Sequence, residues 1–287
     1  MAEVPPGMPR LESIAAIPVP QEDADPSYFR ARILDLLFEA ARSGAFYVEV
    51  RFGRDTILRP EFVPMFREAE RTVQSEFPGF MAEPLGTLIF GPDPVQNEKR
   101  VQACVDAADD GLRGVDFVPQ PYSQEANWSP INQAAERLAA AGLGITAHAA
   151  EFSTANLMAA LQVPGLTRIG HGVYGAASEK MISHLSSSGV ALECCITSNV
   201  ILGAVDSYLE HPIRKFVDAD IPVTLNTDDP MHFSTTIEHE YALASQLGLS
   251  DLELIELTRN AIKYSFTSQD RKARLFARLD SHVLAAC

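Results

Sequence analysis

The sequence predicts an α/β protein, a (β/α)8 barrel of the TIM type, incomplete as read: seven strands are recognisable and the first is missing or replaced. Three observations predict it. From residue 27 onward, short apolar strand patterns alternate with amphipathic helical stretches, the rhythm of parallel strands joined by right-handed crossovers. The 287 residues suit one barrel of about 250. Polar residues able to do chemistry gather at the C-terminal ends of successive strands, where such barrels build their sites.

The elements follow in order. The first 26 residues hold six prolines, at 5, 6, 9, 18, 20 and 26, and read as an irregular leader. Residues 27–282 read as one barrel domain, with no internal repeat and no dividing linker. In SYFRARILDLLFEAARSG, Phe29, Ile33, Leu36, Leu37 and Ala40 keep helical spacing, and Gly44 ends the run. FYVEVRF (46–52) alternates as a strand. It puts Glu49 and Arg51 on one face, where they are expected to pair inside the barrel. Further strands are GTLIF (86–90), GVDFV (114–118), GITAHA (144–149), TRIGHG (167–172), VALECCIT (190–197) and PVTLNT (222–227). Among the helices between them, SPINQAAERLAAAG is the best marked. Ser129 is expected as its N-cap, Pro130 as its first residue and Gly142 as its stop. Two or three helices follow the last strand, including SDLELIELTRNAIKYSF.

Composition removes several functions. Net charge is -15, from 38 acidic and 23 basic residues, and no basic cluster stands out. Nothing here would neutralise phosphates, so nucleic acid and anionic membrane are not expected partners. No apolar run approaches the roughly 20 residues of a membrane helix, and the N-terminus lacks a signal-peptide pattern. Cys104, Cys194, Cys195 and Cys287 form no C-x-x-C pair. Neighbouring Cys194 and Cys195 are expected to alternate across a strand rather than converge on one metal. They read as reduced thiols of a cytoplasmic protein.

The strand ends carry the chemistry. GITAHAAE supplies His148 and Glu151, TRIGHG supplies His171, ECCITSN supplies Thr197, Ser198 and Asn199, and VTLNTDDP supplies Asp228 and Asp229. Imidazoles with carboxylates at successive strand ends suit metal-assisted hydrolysis, in which a borderline ion acidifies water and other groups move protons. Plainer readings exist for each. A strand-end histidine is commonly a hydrogen-bonded core residue. Glu151 could be an acid at a helix start, and Asp228-Asp229-Pro230 a turn with an N-cap. His184, His239 and His282 read as ordinary surface or core residues, and His211 before Pro212 as a helix start. His232, three residues past the aspartate pair, is a candidate stand-in ligand.

With these residues in place, the chain resembles the adenosine deaminase family of metal-dependent hydrolases, in its bacterial adenosine and adenine deaminase-like form. His148-Ala149-Ala150-Glu151 is similar to its HAGE motif, Gly170-His171-Gly172 to GHG, and Thr197-Ser198-Asn199 to TSN. Asn226-Thr227-Asp228-Asp229-Pro230 matches its NTDDP motif letter for letter. The resemblance runs from about Tyr28 to Leu279. It implies zinc, one ion per chain, bound by His148 and Asp228. It also implies Glu151 as the acid that protonates a purine ring nitrogen and His171 as the group that orients and deprotonates the attacking water. Asp229 would hold the nucleophile and the ring, and Ser198 and Asn199 would contact substrate.

The sequence departs from that pattern in three places. The family's opening strand carries an H-x-H pair that supplies two zinc ligands, whereas this chain has no histidine before His148. ESIAAIPVP is a poor substitute, because Pro18 and Pro20 cannot donate ladder bonds. Strands two and eight would then keep bare edges that invite self-association. GVDFVPQP (114–121) stands where the family reads something like G-x-D-L-x-G-x-E, with Pro119 at the glycine that would touch the purine. Ala150 replaces the glycine of the first motif. The expected function is zinc-dependent hydrolytic deamination of adenosine or a related aminopurine, releasing ammonia. The alternatives are a catalytically impaired binding protein short of two metal ligands, and a deaminase of another aminated heterocycle such as adenine or a pterin.

Overall fold

The structure, a computed structural model, describes residues 4–17, 26–53 and 55–286. In chain order it runs α1 (Met8–Ala15), α2 (Pro26–Arg42), β1 (Tyr47–Phe52), α3 (Phe62–Glu76), β2 (Met81–Phe90), α4 (Pro94–Ala108) and β3 (Gly114–Pro119). It continues with α5 (Ser129–Ala140), β4 (Gly144–Ala149), α6 (Leu157–Ala160), β5 (Leu166–His171), α7 (Glu179–Ser188), β6 (Ala191–Cys194) and α8 (Ile196–Leu202). The last elements are α9 (Ile213–Asp218), β7 (Val223–Leu225), α10 (Pro230–Phe233), α11 (Ile237–Gln246), α12 (Asp251–Tyr264) and α13 (Gln269–Ala286).

The seven strands pair in sequence order, each parallel to the next. Side chains show that this sheet is curled. Arg51 on β1 makes an ion pair with Glu193 on β6, and Glu49 on β1 lies 2.6 Å from Arg168 on β5. In a flat sheet β1 and β6 would stand about 24 Å apart, at roughly 4.8 Å per strand. No arginine spans that gap, so the strands wrap around a shared interior. Among the described residues, β1 and β7 pair on one side only.

The outer helices bury one stripe each. In α2 the buried residues are Phe29, Ile33, Leu37 and Ala41, spaced by fours along the face that meets the sheet. Phe29 packs on Phe62 of α3 at 6.2 Å between ring centroids, and Phe62 on Phe52 of β1 at 4.7 Å. Burying Phe29 and Phe62 stabilises by about 1.5–3 kcal/mol each.

The N-terminal end of the barrel is plugged by Phe266. The Arg168 guanidinium lies 3.7 Å above its ring, and its backbone N–H donates to Glu49 Oε1 at 2.6 Å. Gly144 must be glycine, since an added Cβ would overlap the Phe266 ring. Beside the plug, fully buried Glu83 accepts from Arg67 and Thr267 and pairs with Arg271 Nη1 at 2.9 Å. Arg271 also reaches Glu70 on α3, so α13 is tied across the bottom to β2 and α3.

The structure corrects several expectations. The leader is not wholly irregular: residues 8–15 form α1, capped by Ala16. Its docking is specific, with Gly7 N–H donating to Leu202 O at 2.6 Å and Arg10 Nη1 to Ile201 O at 2.8 Å. ESIA within ESIAAIPVP is therefore helical rather than strand, and Pro18 and Pro20 lie outside the described residues, as does Cys287. Glu49 and Arg51 both face the interior but do not pair with each other. Glu49 meets Arg168, and Arg51 meets Glu193. The sixth strand stops at Cys194, so Thr197, Ser198 and Asn199 sit on α8. Trp128, not Ser129, is the N-cap of α5, with Asn127 Oδ1 accepting from Ser129 N–H. Four helices, not two or three, follow β7. Among the described residues no helix is long and apolar enough to cross a membrane.

Candidate active site at the strand C-termini

His148 is the penultimate residue of β4 and points into the interior. Its Nδ1 donates to Asp116 Oδ1 on β3 at 2.9 Å. Asp116 is fully buried, which alone would favour its neutral acid. The charges of Arg51 and His148 outweigh burial and hold its carboxyl below the usual range. Anchoring one ring nitrogen on a carboxylate fixes the imidazole and leaves Nε2 as its other ligand atom.

The turns after β4, β5 and β7 share an unusual backbone. Ala150, His171 and Asp228 all have positive φ, of 57°, 64° and 56°. Non-glycine residues held there cost about 1–3 kcal/mol each, a strain that clusters at functional sites. Gly172, also left-handed at φ 69°, leaves no room for a side chain, since an added Cβ would lie 2.7 Å from Leu192 Cδ2.

These turns bring distant residues together. The His148 and His171 rings are 5.0 Å apart between centroids, and His171 Nε2 lies 3.7 Å from Glu151 Oε2. His171, Cys195 and Asp228 offer ligand atoms within 4.8 Å of one another. His148, Glu151, His171 and Asp228 thus lie in one cluster at the strand C-termini.

Glu151 is a buried carboxyl of the set. Burial, first of all, pushes its carboxyl above the usual range, and Asp228 adds to the rise. His171 and the hydrogen bond from Tyr122 work the other way without cancelling it. That bond runs from Tyr122 hydroxyl to Oε2 at 2.6 Å. Oε1 is buried with no hydrogen-bond partner among the described residues. Burial and the nearby Glu151 carboxylate in turn raise the Tyr122 phenol well above its ordinary value.

Other side chains act from behind. Ser198 hydroxyl donates to Asp228 Oδ2 at 2.6 Å. Asn199 stands between His171 Nδ1, at 3.1 Å, and His211 Nε2, at 3.2 Å. The expectation that Asn199 contacts substrate therefore gives way: both ends of its buried amide are occupied by imidazoles. Ser198, 1% exposed, likewise turns to Asp228. Asp229 caps α10, accepting from His232 N–H, and its Oδ2 lies 2.6 Å from His232 Nδ1. Both side chains are at the rim, so His232 braces Asp229 rather than joining the buried donors.

Tyr122, Asp116 and Cys195 were not foreseen as site residues, and His211 was foreseen only as a helix start. Cys195 was hidden by the predicted strand over 190–197, whereas β6 ends at Cys194 and leaves Cys195 just past the strand end. Tyr122 was not legible, because its place depends on how the loop after β3 folds back.

The donor set suits a divalent ion. Among the described residues, His148 and Asp228 each have one polar atom held by a neighbour, Nδ1 and Oδ2, and another left over, the arrangement expected of ordered metal ligands. Imidazole, thiol and carboxylate are the ligand types a borderline ion accepts. Burial, then the charge of Asp228, raises the Cys195 thiol well above its usual range, so without an ion it stays protonated.

A parallel α/β barrel with a cluster of imidazoles and carboxylates at its strand C-termini, Glu151 and His171 buried and Asp228 exposed, defines the class. Within it, the family model described as adenosine deaminase matches residues 28–282, and the chain belongs to that family. An adenine deaminase from Chelativorans sp. is 33% identical over 254 residues, covering 85% of this chain and 76% of the relative. An adenosine deaminase from Shewanella loihica is 43% identical over 139 residues, covering 48% of this chain. Matches to that protein and to the adenosine deaminase of Shewanella denitrificans span only 42% and 45% of those curated relatives' lengths. Among solved structures, adenine deaminase from Arthrobacter aurescens superposes with a TM-score of 0.72 at 24% identity, covering 89% of this chain and 79% of its own. The likeness there is one of fold.

Proposed function

We propose that the chain catalyses hydrolytic deamination of an aminopurine or a related aminated heterocycle, with zinc as its metal. One observation carries this reading: the Glu151 carboxyl, its pKa raised by burial, keeps Oε1 without a hydrogen-bond partner among the described residues, while its Oε2 lies 3.7 Å from His171 Nε2. A ring carbon bearing an amine is a poor electrophile until the adjacent ring nitrogen is protonated. A carboxyl whose pKa is raised by burial answers that need, and general acid catalysis of this kind contributes about 10²–10⁴-fold.

His148 and Asp228 would hold zinc, with Cys195 adjoining. When bound, zinc acidifies water and so supplies a nucleophile near neutral pH. The chain's own groups do the rest. Asp116 orients His148, Ser198 orients Asp228, and Glu151 delivers the proton to the ring. His171 lies over the same space and hydrogen-bonds the reacting water. Asp229, braced by His232, would take a ring substituent at the rim.

The names of the relatives support an aminopurine, adenosine in one case and adenine in another. A second reading, a free base or another heterocycle in place of a nucleoside, is favoured by the loop after β3. There Tyr122 packs 6.0 Å from Phe152 and 6.2 Å from His148, an aromatic wall that suits a flat ring.

The test is ammonia release from a panel of adenosine, adenine, AMP and pterin by zinc-loaded protein, with bound zinc quantified. Turnover with stoichiometric zinc supports deamination, and the preferred substrate separates the two readings. Full zinc occupancy without turnover on any ring amine would overturn the proposal in favour of a binding protein.

A further inference from the structure

The residues behind His171 determine where its ring proton sits. Ile213 backbone N–H donates to His211 Nδ1 at 3.3 Å. A peptide N–H is a donor and nothing else, so Nδ1 is the accepting nitrogen of His211. Burial, and then the nearness of His171, pushes the His211 imidazole down to about 3, so the ring is neutral and its single proton lies on Nε2. That Nε2–H faces Asn199 at 3.2 Å, and the amide must answer with its oxygen. Its NH2 end is then turned to His171 Nδ1 at 3.1 Å. The usual ambiguity of amide and imidazole orientation is removed here by one backbone group.

We propose that His211 is a positioning residue: acting through Asn199, it holds His171 in the Nε2–H tautomer. His171 then meets water or substrate as a hydrogen-bond donor rather than as the proton acceptor the family resemblance implies. The three side chains are 4%, 0% and 3% exposed, so no solvent is at hand to reorder the chain of bonds. The same proton makes Nε2 unavailable as a ligand atom, which leaves a divalent ion to His148 and Asp228. The catalytic consequence rests on the deaminase reading, whereas the tautomer does not.

The experiment uses the full chain labelled with 15N-histidine, without ligand. Long-range 1H–15N correlations are recorded, and the His171 signals are identified by their loss in His171→Gln. Expected is a proton on Nε2 and an unprotonated, acceptor-type Nδ1. His211→Phe should mix the two tautomers, and His211→Gln, whose amide can still donate to Asn199, should restore one. Asn199→Asp, which cannot donate to Nδ1, should invert the tautomer to Nδ1–H. In the deamination assay, His211→Phe should lower kcat about 10- to 100-fold with KM about unchanged, and His211→Gln should recover it. A wild-type His171 protonated on Nδ1, or a tautomer indifferent to both His211→Phe and Asn199→Asp, overturns the proposal. Absence of any deaminase activity would overturn the proposed function and leave the tautomer result standing.

Discussion

Tyr122 hydroxyl donates to Glu151 Oε2 at 2.6 Å, while Glu151 Oε1 is buried with no partner among the described residues. One oxygen of the carboxyl is held and the other is left to work. The bond also lowers the acid's pKa against the upward push of burial. Tyr122→Phe should therefore raise it further and move the alkaline limb of the pH–rate profile upward, with kcat reduced about tenfold by looser positioning. Glu151→Gln, which keeps the shape and loses the acid, should cost about 10²–10⁴ in kcat. Equal effects of the two substitutions would argue against separate roles.

His211 makes stability depend on pH. Its imidazole, 6.5 when unfolded, is pushed down to about 3 in the fold by burial and the neighbouring His171. The unfolded chain therefore binds the proton first as pH falls. The stabilisation is complete above 6.5 and is lost progressively from there toward 3. At pH 5 the loss from this group is about 2 kcal/mol relative to pH 7.5. Urea unfolding at both values should show it, and His211→Gln should flatten the difference by that amount.

Ala150 occupies a left-handed backbone at φ 57°. Replacing it with glycine removes about 1–2 kcal/mol of strain and returns about 0.4–1 kcal/mol through the freer unfolded chain. Ala150→Gly should therefore stabilise by about 0.5–1 kcal/mol in denaturant unfolding. A destabilised variant would mean that the methyl group contributes packing the backbone argument leaves out.

Zinc should raise the melting temperature. At about 100 times its dissociation constant, a ligand specific for the folded state adds about 2.7 kcal/mol. Thermal scans with added zinc should shift upward and return with chelator. His148→Ala and Asp228→Asn should abolish the shift, and His184→Ala should keep it. A shift that survives both ligand substitutions would place the ion elsewhere.

The legible part of this protein is local. GITAHA is the observed β4, and the strand ends that carry His148, Glu151, His171 and Asp228 can be read from alternation and turns. What was illegible depends on contacts between remote segments. Glu49 and Arg51 share a face, as alternation requires, but their partners on β5 and β6 follow from the curl of the sheet. Asn199 and His211 are paired by the path of the chain between α8 and α9. The leader yielded a helix because prolines at 5, 6 and 9 precede or open α1 rather than interrupt it.

The ring of charges around Glu83 has a consequence for how this scaffold tolerates change. Its four partners, Arg67, Arg271, Arg113 and Thr267, come from widely separated parts of the chain, and all of them meet at the end opposite the chemistry. Loops at the mouth can thus drift, lengthen or exchange side chains without disturbing the foundation, so new specificities are reachable by mutation at little structural risk. The foundation has no such latitude: Glu83→Ala would strand two or three guanidinium groups at once, and an evolving lineage should hold that base fixed while its mouth diversifies.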